Sequence, residues 1–157
     1  MTENKDQIQL VRAKVFDILE KHDSFNSNSV PVIIFENPTG WGEPYLTFDQ
    51  DTYTLIFEER GNEINRIENL TFDGVVKFYI FSACQHFGSN YELNNRRNVN
   101  DYSRWNWMKP AIDAMMAVDE DFGEYAIIYY QEVLFRSPLS KDEIANSWSE
   151  IPQWAVE

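Results

Sequence analysis

The apolar side chains of this chain change their period near residue 70, and that change restricts the fold more than any other feature. Before it, short β-branched and aromatic runs stand between turn residues. After it, apolar residues recur every three or four positions. Strands first and helices afterwards describe an α+β fold, with the two kinds of element segregated along the chain. Residues 5–21 precede the strands with a helical stripe of Ile8, Val11, Val15, Ile18 and Leu19. A turn-rich break at His22–Ser29 follows, and then VPVIIFE (30–36), which reads as a buried strand. Asn37–Glu43 reads as a turn, and Tyr45, Thr47 and Phe48 open a second extended piece. YTLIFEE (53–59) and EINRIEN (63–69) flank Arg60-Gly61-Asn62. Gly61-Asn62 is a hairpin signal because both residues tolerate positive φ. The expectation is an N-terminal helix and an antiparallel meander of about four strands.

Three helices are expected to follow and to pack on the sheet. Thr71 is placed to cap the first, with Asp73 in its first turn against the helix dipole. Val75, Val76, Phe78, Tyr79, Ile80, Phe81 and Ala83 make this helix apolar nearly all round, as a central helix must be. After NNRRNVN (94–100) the next helix shows Trp105, Met108, Ile112, Met115 and Met116 on one face. Pro110 within it should kink the helix or mark its first turn. A last helix from about Asp121 carries Phe122, Tyr125, Ala126, Tyr129 and Val133, and SPLS (137–140) ends it. The 157 residues suit one domain over 1–140, followed by an acidic tail over 141–157 that holds Trp148 and Trp154.

Charge narrows the function classes. Thirteen basic side chains face 26 acidic ones, a net charge of −13. Residues 1–70 and 119–157 each carry −7, while 71–118 carry +1. Such a chain is repelled by nucleic acid and by anionic membrane, so a basic protein partner is favoured. Lys5, Asp6, Arg12, Lys14 and Asp17 interrupt every early apolar run, so no signal peptide is expected. The longest uncharged apolar runs, 78–81 and 126–130, fall far short of a membrane span. The expected location is cytoplasmic. Cys84 is the single cysteine, which excludes an internal disulfide and a zinc knuckle.

Catalytic patterns are missing. His22 and His86 sit in no nucleophile arrangement, and no GxSxG, HExxH, Walker or GxGxxG pattern occurs. Glu58 and Glu59 are adjacent on a strand and face opposite sides of the sheet, so they cannot share one site. Asp119, Glu120, Asp121 and Glu124 resemble a calcium loop only in part, since Gly123 stands at the third acidic position. Acids in the first turn of a helix explain them without a metal. Glu92, Arg96, Arg97, Asp101 and Arg104 form a mixed cluster between two helices, read as ion pairs and alternatively as a pocket for a small ligand or peptide. Glu92 and Asp101 are the carboxylates an enzyme reading would use. Trp41 beside Glu43, and the acids Asp119, Glu120, Asp121 and Glu124, are the expected partner-binding residues: aromatic anchors rimmed by charge suit a protein interface.

A longer pattern joins these pieces. Glu59, Arg60, Gly61 and Glu63 close a strand, an apolar helix follows, and Tyr91-Glu92-Leu93 precedes Arg96. Asp101, Ser103 and Arg104 come next, then an apolar helix ending in Val118-Asp119, and Phe122 opens the last helix before a Ser-Pro break. This order and spacing resembles the immunity protein 63 family, whose members are described as antidotes to bacterial polymorphic toxins. The resemblance covers roughly residues 45–140 and is ungapped from Asp101 through Phe122. The family tends to have a basic residue where Trp105 stands, a Trp where Phe122 stands, and no proline like Pro110. The resemblance implies an α+β fold, no catalysis, no cofactor or metal, and one partner, a cognate toxin domain that is neutralised by binding. It also implies that Glu59, Arg60, Gly61, Tyr91, Glu92, Arg96, Asp101, Arg104 and Phe122 serve the structure.

Overall fold

Helix α1 (Thr2–Lys21) buries Ile8, Val11, Val15 and Ile18, the stripe expected from spacing alone. The structure, a computed structural model, describes residues 2–22 and 32–156. Most of the expected break at 22–29, and the first two residues of the expected strand at 30–36, lie outside that range. The polar side of α1 also ties it down. Asn4 Oδ1 accepts from the Phe48 amide at 2.6 Å, and the Tyr53 hydroxyl donates to the Gln7 carbonyl at 3.3 Å.

Those partners belong to a three-stranded antiparallel sheet of β1 (Trp41–Asp49), β2 (Thr52–Glu59) and β3 (Asn62–Leu70), in chain order. Leu46 pairs with Leu55 and Phe48 with Tyr53, so one face of the sheet is apolar. Among the described residues three strands stand in place of the expected four. Of the described residues of VPVIIFE, only Phe35 bonds to the sheet, through a single parallel bridge to Tyr45 in which its carbonyl accepts from Leu46 at 2.8 Å. Pro31 and Pro38 bracket this run, and proline has no N–H for a ladder. Residues expected to turn at 41–43 instead begin β1, with a bulge between Trp41 and Pro44.

Both hairpins turn on two residues with positive φ, the geometry that matches strand twist. In the second hairpin these are Arg60 (52°) and Gly61 (83°), one residue earlier than the Gly61-Asn62 signal suggests. The first uses Gln50 (49°) and Asp51 (63°) without any glycine, so composition gave no warning of it.

Helix α2 (Phe72–Asn95) starts as expected. Thr71 Oγ1 accepts from the Gly74 amide at 3.0 Å, and Asp73 pairs with Lys77 at 2.8 Å. The chain divides into two compact units, and the boundary falls inside α2 after Ile80. The first unit holds α1, the sheet and the start of α2, where Phe78 meets Phe57 edge-on at 6.2 Å.

The second unit holds the rest of α2, then α3 (Trp105–Val118), α4 (Glu120–Arg136), the short α5 (Lys141–Ala145) and one 3₁₀ turn (Gln153–Ala155). Here α2 comes close to α3 at Gly88: a Cβ on Gly88 would lie 2.2 Å from the Trp107 carbonyl oxygen. Trp105, Met108, Ile112 and Met115 are buried as expected, but Met116 is exposed. Helix α3 runs on through Pro110. The inward side of α4 is Phe122, Gly123, Ala126, Tyr130 and Leu134, so the expected face of Tyr125, Tyr129 and Val133 is turned toward solvent by about one residue. Buried Phe81 packs against both the inward Tyr130 and the exposed Tyr129, with rings 5.4 Å and 4.9 Å away. No helix among the described residues is long and apolar enough to cross a membrane.

Candidate functional site

The cluster read between the helices is a set of ion pairs that fastens the C-terminal segment onto the second unit. Glu92, on α2 and 2% exposed, accepts from Arg96 one helical turn later, at 2.7 Å on Oε2 and again on Oε1. The Arg96 guanidinium in turn lies 5.5 Å from the Tyr102 ring. Asp101 accepts from Arg97 Nε at 3.0 Å and from Trp148 Nε1 at 3.0 Å. The Arg97 hydrogen bond, helped by Trp148, holds the Asp101 carboxyl below its usual range. That arrangement makes Asp101 an acceptor and not a proton donor.

Arg104 does not join Glu92 or Asp101. It reaches 39 residues along the chain to Glu143, donating from Nε at 2.8 Å and from Nη2 at 3.0 Å. The same guanidinium donates to the Ser137 carbonyl at 2.9 Å and the Pro138 carbonyl at 2.8 Å. Five fixed donors on one planar group suit Arg for this post. Glu143 is placed by its own helix start, a capping box in which Ser140 Oγ accepts from the Glu143 amide and Glu143 accepts from the Ser140 amide. Asn106 completes the fastening: Nδ2 donates to the Asn146 carbonyl at 3.0 Å, and Oδ1 accepts from the Trp148 amide at 2.8 Å. Glu143 and Asn106 are absent from the residues singled out in the sequence, and Trp148 is noted there only as a tail residue, with no partner assigned to it. The Ser140-x-x-Glu143 spacing is a local signal for Glu143 alone.

The Arg104 hydrogen bonds lower the Glu143 carboxyl from 4.5 to about 2. A depressed folded pKa contributes stability above the unfolded value, and that contribution is lost as pH falls toward the folded one. Glu143 should therefore add about 2 kcal/mol at neutral pH, after discounting for the solvent at its open side. Chemical denaturation of wild type and Glu143→Gln between pH 7 and pH 2 checks this. The gap between the two proteins should be full above about pH 4.5 and close near pH 2. A gap that stays constant with pH would remove the charge from the account.

Beside the network lies a cleft of about 400 Å³, lined by Phe87, Tyr91, Lys109, Pro110, Asp113 and Trp148 among others. The Phe87, Tyr91 and Trp148 rings succeed one another at 6.4 Å spacings along its wall. Lys109 and Asp113 pair with each other. The aromatic wall is thus bordered by one Lys–Asp ion pair, and its indole N–H is already committed to Asp101.

The expected partner-binding residues fall into two groups, one in each unit. In the first unit, Trp41 is 84% exposed and stands opposite Glu59, with Glu43 exposed two residues on. Gly40 and Gly42 on either side both have φ of +84°, which a side chain would strain. Arg60 and Gly61 share this end of the sheet, since the Arg60 amide donates to the Gly40 carbonyl at 3.2 Å. In the second unit, Asp119 caps α4 by accepting from the Asp121 amide at 3.0 Å, and Glu120, Asp121 and Glu124 are exposed on the first turns. The helix starts one residue before the expected Asp121. Phe122 is buried.

The remaining chemistry is quiet. Burial pushes the Cys84 thiol up to about 12, while His86 two residues on is exposed. No group of three or more His, Cys, Asp or Glu among the described residues is arranged to hold a metal ion.

A family model described as immunity protein 63 matches residues 49–132, which is 84 of the 157 residues. No curated protein and no solved structure matches the chain. The matched stretch runs from the end of β1 to α4 and contains the second hairpin turn, Glu92 with Arg96, Asp101 with Arg97, and Arg104. It stops before Glu143 and Trp148, the residues that take up Arg104 and Asp101. The matched span lies within the pattern read from residues 45–140, and the chain belongs to the immunity protein 63 family.

Proposed function

We propose that this protein is a non-catalytic antidote: it binds a cognate toxin domain in the cytoplasm of the producing cell and blocks it. Membership of the immunity protein 63 family carries this reading. The charge supports a basic toxin. A nuclease must hold a polyanion, so its working face is often positive, and a partner with a net charge of −13 meets it with steered, fast association. Trp41 with Glu43 in the first unit, and Asp119, Glu120, Asp121 and Glu124 in the second, are the residues proposed to face the toxin. Glu59, Arg60, Gly61, Tyr91, Glu92, Arg96, Asp101, Arg104 and Phe122 are proposed to maintain the fold that presents them.

Co-expression with toxin domains encoded next to its gene, where such are found, is the test. Cells should survive with this protein and die without it; equal killing in both would end the immunity reading. The aromatic cleft favours one second reading, a module that takes a small ligand or peptide against Phe87, Tyr91 and Trp148. On that reading the protein would bind such a ligand in the absence of any toxin.

A further inference from the structure

Helix α4 is 17 residues long and has one face fully committed to the core. Its opposite face is not an ordinary polar surface. Asp121, Glu124, Ile128, Glu132 and Phe135 are all exposed. They fall within roughly 80° of arc at 3.6 residues per turn. Phe135 is 83% exposed and Ile128 57%. The two apolar side chains stand two turns apart, with Glu124 one turn before Ile128 and Glu132 between Ile128 and Phe135. Glu132 accepts from Arg136 at 2.8 Å at the edge of the stripe.

We infer that this outward stripe of α4 is the docking surface for a basic protein partner, with Phe135 and Ile128 as its apolar anchors; the inference rests on the immunity reading and names the surface that serves it. Large apolar side chains ringed by charge are the arrangement of an interface hot spot, where the polar ring excludes water from the anchor. The charges select the occupant. A second copy docking through the same stripe would set Asp121, Glu124 and Glu132 of one molecule against those of the other, and like charges face to face suppress pairing. Anionic lipid and nucleic acid are repelled by the same three carboxylates. A cationic surface with an apolar patch is met on both counts. The expected interface thereby extends beyond Asp119–Glu124 to two side chains that carry its apolar area, and Phe135 lies past the end of the family match.

The experiment measures association and dissociation rates between the full chain and a catalytically inactivated preparation of the adjacent toxin domain, at low and high salt. Four variants are compared with wild type: Ile128→Ser, Phe135→Ser, Glu124→Lys and Glu132→Lys. All four positions are exposed, so circular dichroism should report an unchanged fold. Phe135→Ser should weaken binding about tenfold or more, mainly by faster dissociation. Glu124→Lys should slow association and flatten its salt dependence. If wild type binds and every variant binds equally, the stripe is not the interface, and the immunity reading stands without it. If wild type neither binds nor protects cells, the immunity reading falls and the docking surface falls with it. Sedimentation as a dimer that Phe135→Ser dissociates would assign the stripe to a second copy and overturn the inference.

Discussion

Arg104→Ala should cost about 3 kcal/mol and release the C-terminal segment. The guanidinium is one-fifth exposed, and its partner Glu143 is less exposed still. Removing it leaves Glu143 as a half-sequestered carboxylate that has lost both guanidinium hydrogen bonds and keeps only amide donors, among them the Arg104 amide at 3.1 Å. It also takes the donors from the Ser137 and Pro138 carbonyls at the end of α4. Stranding a charge is the larger part of the loss, so pairing the substitution with Glu143→Gln should recover a good share of it. Arg104→Lys should recover less than full stability, because an ammonium is a point charge and cannot span carboxylate and two carbonyls with one planar fork. Urea denaturation of the four proteins, together with Trp emission from the segment that holds Trp148 and Trp154, measures this. A midpoint for Arg104→Ala equal to wild type would show that the network decorates the unit and does not hold it.

Gly88→Ala should be comparably damaging for a different reason. In an open helix this change gains up to about 1 kcal/mol, since alanine has the better helix propensity. At Gly88 the new methyl would sit 2.2 Å from the Trp107 carbonyl oxygen and 3.3 Å from Ala111 Cβ. The first of these atoms is backbone, so no rotamer change relieves the contact and α2 must move away from α3. Overpacking of this kind costs about 1–3 kcal/mol, and a backbone obstacle puts the change at the upper end, about 3 kcal/mol net. For a chain of this length that lowers the melting temperature by roughly 10 °C. Gly123→Ala is the internal control. Its nearest obstacles, at 2.5 Å, are the Sδ and Cε atoms of Met116, the movable end of an exposed side chain, although Met116 Cα at 3.1 Å sets a limit. A smaller loss there than at Gly88 would confirm that backbone proximity sets the cost; equal losses would refute it.

What the sequence determined by itself lies within a few residues of each signal. The stripe of α1, the cap at Thr71, the turn near Gly61 and the acids at the start of α4 follow from local rules of spacing, capping and positive φ. The order of strands before helices, and the family pattern from Glu59 to Phe122, were legible for the same reason: each is a property of neighbours along the chain. The extra strand expected at 30–36 shows where that reasoning stops. β-branched residues permit a strand, but a ladder needs a partner edge and continuous N–H donors, and between Pro31 and Pro38 only Phe35 makes a bridge. The same limit applies to the candidate sites. Arg104 announced itself as a charge needing a partner, yet nothing near it in sequence pointed to Glu143, and Asp101 lies 47 residues from the indole of Trp148. The inward face of α4 differs from the expected one by about one residue because periodicity gives a stripe its width, while the elements packed against it decide its centre. Only the tertiary structure could leave Ile128 and Phe135 outside. Their side chains are as apolar as those in the core, and exposure is a property of what packs against a residue and not of the residue itself.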